Sequence, residues 1–65
     1  MTLEEIKKRI DEIKSVADDD ERAHALEDQL HRDVLFAIAG CAQNANDLAM
    51  AALRTLYIEF NRWCA

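Results

Sequence analysis

The chain has no proline, a single glycine and only two cysteines in its 65 residues. With so few residues that break helices, and with abundant Ala, Leu, Glu and Lys, the composition predicts an all-α fold. Two cysteines do not make a disulfide framework. No charged-then-apolar segment opens the chain, so a secretory leader is not expected. The longest apolar runs fall far short of the roughly 18 residues that a membrane span needs. Glycine-rich phosphate loops and basic patches are also missing, which argues against nucleotide chemistry and direct nucleic-acid binding. The expectation is one small, soluble, reduced domain in the cytoplasm. A domain below about 70–80 residues seldom gains more than a few kcal/mol from its core, so very regular packing or a partner is expected as well.

What the chain does contain is unevenly placed. Residues 1–33 hold eleven of the thirteen acids and six of the eight bases, which accounts for the whole net charge of −5. Residues 34–65 hold Asp47, Glu59, Arg54 and Arg62, which cancel, together with all four aromatics, Phe36, Tyr57, Phe60 and Trp63. In that second half 22 of 32 residues are apolar, more than one small monomer readily buries. The front reads as a solvated acidic surface and the back as core.

Glu21 to Gly40 is the central stretch. At about 100° per residue, Ala23, Leu26, Leu30, Val34, Ala37, Ile38 and Cys41 share one helical face. Glu27 falls inside that face, with His24 and His31 at its margin, while Leu35 and Phe36 point elsewhere. A helix that apolar has neighbours on more than one side. Before it, Thr2 and Glu5 form a T-x-x-E capping box, and Leu3, Ile6, Ile10, Ile13 and Ala17 trace a narrow seam. Glu4–Lys8, Glu5–Arg9 and Lys8–Glu12 support that helix at i,i+4. The seam predicts packing on the second helix rather than an intermolecular coiled coil. The turn Asp18-Asp19-Asp20-Glu21 lacks the glycine and distal Glu of a calcium loop. Acids at a helix start have a simpler cause in the macrodipole and in capping, and Asp18 with Glu21 has capping-box spacing.

Gly40 is expected to end the second helix in the left-handed conformation. Asn44 or Asn46 caps the third, with Asp47 in its first turn. There Ala45, Leu48, Ala49, Ala52, Leu53, Leu56, Phe60 and Trp63 share a face, while Met50, Tyr57 and Ile58 lie off it. The expected architecture is a small antiparallel three-helix bundle, with helices over about residues 3–16, 20–39 and 46–63 and a possible break near Thr55.

One constellation has possible chemistry. His24, Glu27, Asp28 and His31 recur at i, i+3, i+4 and i+7, and imidazole and carboxylate are suitable zinc or iron ligands. Paired-helix metal proteins use E-x-x-H motifs on facing helices, however, and here Glu27 to His31 is i,i+4 on a single helix. The simpler reading is structural: a carboxylate on an apolar stripe needs a partner, because burying it alone is costly. A base such as Arg62 or Arg54 supplies one, and the histidines cover the core margin. Cys41 and Cys64 lack the activating base that a nucleophile requires and read as small hydrophobes.

The pattern Asp19-Asp20-x-x-Ala23-His24-x-x-Glu27-Asp28-x-Leu30, followed by Ile58-x-Phe60-x-Arg62-Trp63-Cys64-Ala65, resembles a group of small proteins encoded by tailed bacteriophages and prophages. The resemblance spans most of the chain. It implies a phage setting, and that His24, Glu27, Asp28, Arg62 and Trp63 form one structural or functional unit. The helix pattern adds His31 to that polar cluster, and a third helix returning beside the middle of the second makes Arg62 a candidate partner for Glu27 or Asp28.

The functional expectation is a non-enzymatic interaction protein, without cofactor, that binds and modulates a host or phage protein in the host cytoplasm. Inhibition of a bacterial defence system, of the anti-CRISPR kind, is its concrete version. Two contact surfaces are expected. Asp19, Asp20 and Glu21 would face a basic partner, and Leu35, Phe36, Met50 and Ile58 would form the apolar contact of a homodimer or tight hetero-complex. The alternatives are a small metal-binding protein using His24, Glu27 and His31, and a structural phage component.

Overall fold

Thr2 starts the first helix as its sequence requires: its hydroxyl accepts the Glu5 N–H at 3.2 Å. In the computed structural model, which describes residues 1–62, α1 spans Leu3–Ser15, α2 Asp20–Ala39 and α3 Ala45–Leu53. A 3-10 turn, Arg54–Tyr57, follows α3; Ile58 then has extended backbone and residues 59–62 have no regular secondary structure. The fold is an all-α three-helix bundle. No helix among the described residues is long and apolar enough to cross a membrane.

The isoleucine seam of α1 is buried at Ile6, Ile10 and Ile13, while Leu3 stays exposed beyond the end of the core. It packs against Ala23, Leu30 and Val34 of α2 and Leu48, Ala51 and Ala52 of α3. Leu26, Ala37 and Ile38 close the edges of that core. Arg9 donates to Asp33 at 2.9 Å rather than pairing with Glu5 on its own helix, which ties α1 to α2. Gln29 donates to the other Asp33 oxygen at 2.9 Å. Arg9 lies level with Asp33, and His31 with Ala52 and Thr55, so α2 opposes both neighbours and α1 and α3 run the same way.

Two caps fall one residue from their expected place. Asp19, not Asp18, is the N-cap of α2, and its carboxylate accepts the Arg22 N–H at 3.2 Å. The neighbouring acids are chemically equivalent, so only the path of the turn chooses between them. At the other end, Gly40 has an ordinary φ of −82°, and Cys41 takes the left-handed conformation at φ 66°. Cys41 N–H reaches Ile38 O at 3.0 Å and Ala42 N–H reaches Ala37 O at 3.2 Å, the paired bonds of a Schellman ending. Asn44 opens α3 without a side-chain bond.

The third helix differs most from expectation. It does not continue to residue 63: it ends at Leu53, tightens through the 3-10 turn, and gives way to extended chain at Ile58. The expected break near Thr55 is therefore present, with a different continuation. The inward positions are Leu48, Ala51, Ala52 and Thr55, which leaves Leu53 and Leu56 exposed. Ile58, expected at a partner surface, is buried instead, because the extended backbone turns its side chain back onto the core. Phe60 packs at the edge of the same core.

A non-glycine residue held in the left-handed region costs about 1–2 kcal/mol. Cys41→Gly is therefore expected to raise stability by about 0.5–1 kcal/mol once the added freedom of the unfolded chain is set against the relief. Urea denaturation reads this as a higher midpoint at unchanged slope. A midpoint that stays put or falls would contradict the strained ending.

Candidate functional site

Glu27 sits in the buried face of α2 between Ala23 and Leu30, with only 4% of its surface exposed. Its partner comes from the segment after the 3-10 turn, 35 positions later in the chain. Arg62 Nε donates to Glu27 Oε1 and Arg62 Nη2 to Oε2, both at 2.9 Å. Two parallel, charge-assisted bonds of this kind fix orientation as well as distance.

The rest of the guanidinium gathers the chain that leads to it. Nη2 also donates to Thr55 O at 3.0 Å and Ile58 O at 3.2 Å, and Nη1 to Phe60 O at 3.5 Å. The Phe60 ring lies beneath, with its centroid 3.9 Å from the guanidinium carbon, a cation–π contact. Thr55 O also accepts the Ile58 N–H at 3.0 Å, so the guanidinium adds to the bonds that hold this turn. One turn further along α2, His31 Nε2 lies 2.9 Å from Thr55 Oγ1 and 3.3 Å from Ala52 O. The Thr55 hydroxyl donates to Ala52 O at 3.1 Å, so its oxygen accepts and His31 Nε2 carries a proton. At the start of α2, Asp20 Oδ1 accepts the Asn61 N–H at 3.0 Å. His31, Glu27 and Asp20 thus hold the returning chain at three levels.

Burial works to raise the Glu27 pKa, but the hydrogen bonds and the positive charge of Arg62 bring it below its ordinary 4.5. The bond to Glu27 raises the Arg62 pKa in turn, against a smaller opposing effect of burial. The pair is charged throughout the neutral range. Both Glu27 oxygens are occupied, and every buried side-chain nitrogen and oxygen among the described residues has a hydrogen-bond partner. The arrangement clamps the end of the chain onto α2.

The residues of the expected unit have separate tasks. Glu27 meets Arg62, not Arg54. His24 Nδ1 faces Asp28 Oδ2 at 3.3 Å, on the outer side of α2. His31 turns to Thr55, so His24, Glu27 and His31 do not converge as ligands would. Among the described residues no group of three or more His, Cys, Asp and Glu is placed to hold a metal ion. Trp63, Cys64 and Ala65 lie outside the described residues. Of the expected partner surface, Asp19 and Asp20 take up capping and tethering, while Glu21, Leu35, Phe36 and Met50 are exposed. Thr55 escaped the sequence reading as a site residue, although its spacing from Leu48, Ala51 and Ala52 marks it as inward.

The clamp has a pH signature. Above about pH 4.5 Glu27 is ionised in the folded and the unfolded chain, and its contribution to stability is complete. Below that value the unfolded chain takes up a proton that the folded state resists, so stability declines until the pH has passed through the lowered folded value. Asp33, lowered by its bonds from Arg9 and Gln29, acts in the same direction. The urea midpoint is expected to fall between about pH 5 and pH 3, and to fall less steeply in Glu27→Gln. Parallel slopes in the two proteins would show that Glu27 does not carry the acid sensitivity.

The chain matches no protein-family model, and no curated protein or solved structure matches it significantly.

Proposed function

We propose that this protein is a non-enzymatic interaction module of phage or prophage origin, which binds and modulates a host or phage protein in the host cytoplasm. The observation that carries the reading is a group of large apolar side chains turned outward beside the clamp. Leu35, 66% exposed, stands one helical turn beyond His31. Leu53 and Leu56, also exposed, each follow one of the two residues that His31 touches. Leu35 and Phe36 on α2 and Leu53 and Leu56 at the end of α3 thus leave apolar surface exposed on either side of the His31–Thr55 contact. Exposed apolar groups gathered at a seam mark contact sites more often than single scattered ones. Glu27 and His31 are meanwhile engaged with Arg62 and Thr55 inside the fold, and His24 faces Asp28 on the outer side of α2. Inhibition of a bacterial defence system remains the concrete version, in line with the phage resemblance.

A second reading uses the acidic turn as a charge mimic against a basic groove. Glu21 is exposed there, but Asp19 caps α2 and Asp20 holds Asn61. The apolar seam is the stronger candidate.

The test is affinity capture from host lysate with wild type, with Leu35→Asp plus Leu56→Asp, and with Asp19→Asn plus Glu21→Lys. A partner retained by wild type, lost with the seam variant and kept with the turn variant is the expected outcome. That binding should change little with salt, whereas contacts between exposed charges are screened beyond about 8–10 Å at physiological ionic strength. Loss with the turn variant alone, with steep weakening in salt, would transfer the contact to the acids.

A further inference from the structure

We propose that two copies of this chain pair through the groove between α1 and α3, face to face and antiparallel about a two-fold axis. The groove is distinct from the seam of Leu35, Leu53 and Leu56. It has a volume of about 660 Å³, with the buried Ile6, Ile10 and Ala51 at its floor. Leu3, Met50 and Tyr57 line it too, and the last two are 68% and 87% exposed. Large side chains of this kind, left in water along a groove, gain most from a partner that covers all of them together.

Charge identifies the partner. Six charged groups border the groove: Glu4, Lys7, Asp11 and Lys14 from α1, and Asp47 and Arg54 from the α3 side. They sum to zero in a chain whose net charge is −5, so this is a face on which two acidic copies can meet without added repulsion. Their order matters more. Along α1 the signs run negative, positive, negative, positive, and reversal about the level of Arg9 exchanges Glu4 with Lys14 and Lys7 with Asp11. Because α1 and α3 run the same way, Asp47 lies at the Glu4 end and Arg54 at the Lys14 end. The same reversal exchanges those two.

Every charge on the groove therefore meets the opposite sign when a second copy is laid over it antiparallel. A two-fold contact places the same patch on both sides, and self-complementarity is what such a contact demands. Among the described residues no ion pair joins any of the six groups to another charge, which leaves them available for a partner. A parallel arrangement would instead stack like on like at both ends.

Sedimentation equilibrium of the full chain tests the pairing through charge reversal. One variant reverses the basic end (Lys14→Glu with Arg54→Glu), and the other the acidic end (Glu4→Lys with Asp47→Lys). All four side chains are exposed, and circular dichroism checks that each variant keeps its helices. Wild type is expected to dimerise, each variant alone to do so at least about tenfold more weakly, and an equimolar mixture to regain dimers of mixed composition. Tyr57→Ser, at a side chain that supports no core, should also weaken the dimer. An NMR dilution series of wild type needs no variant, and its shifts should gather at Leu3, Met50 and Tyr57. Four outcomes would overturn the proposal: a wild type still monomeric near about 1 mM, variants that associate like wild type, a mixture no better than its parts, or dilution shifts gathered at Leu35 and Phe36.

Discussion

A carboxylate placed in the apolar face of a central helix cannot be left alone, and the rest of this structure depends on how that demand is met. Glu27 lies among Ala23, Leu30 and Val34, where an unpaired charge would lose its hydration without compensation. The chain meets the demand by returning Arg62 to it through two bonds. A buried ion pair is not in itself a strong source of stability, since desolvation offsets much of the attraction. Its effect here is one of specification: the guanidinium fits only when the end of the chain lies along α2.

The course of the third helix follows from that requirement. Continued as a regular helix, residues 54–62 would carry Arg62 away from the middle of α2. The 3-10 turn and the segment after it bring it back, and Arg62 itself donates to the Thr55 and Ile58 carbonyls. Ile58 and Phe60 are drawn onto the core by the same path, while Leu53 and Leu56 are left outside. The clamp thus connects to the outer surface. Leu56 in particular is left in water because the chain turns there instead of continuing as a helix.

Much of this was legible before any coordinate. The T-x-x-E start, the isoleucine seam of α1 and the stripe of α2 each follow from side-chain period, which local sequence encodes well. The Glu27–Arg62 pair was legible for a different reason. A carboxylate on an apolar stripe needs a base, and only Arg54 and Arg62 lie in the apolar half. The end of α3 was not legible, because no glycine or proline marks it and its residues favour helix. Its stop signal is tertiary, made of bonds from Arg62 and His31 that local pattern cannot show. Ile58 was misplaced for that reason, and Thr55 was seen as a break rather than a contact. The choice of Asp19 over Asp18, and of Cys41 over Gly40, rests on turn geometry between neighbours that sequence treats alike.

The central claim is that Glu27 and Arg62 act as one unit. A double-mutant cycle of Glu27→Ala, Arg62→Ala and both together, read by urea denaturation at neutral pH, tests it most directly. Each single change is expected to cost about 2–3 kcal/mol, below the usual range for a buried pair because one edge of Arg62 reaches water. The double variant should recover about 1–2 kcal/mol of the summed loss, since neither charge is then left without its partner. Losses that add to within about 0.5 kcal/mol would contradict the account, because the two side chains would then be contributing independently.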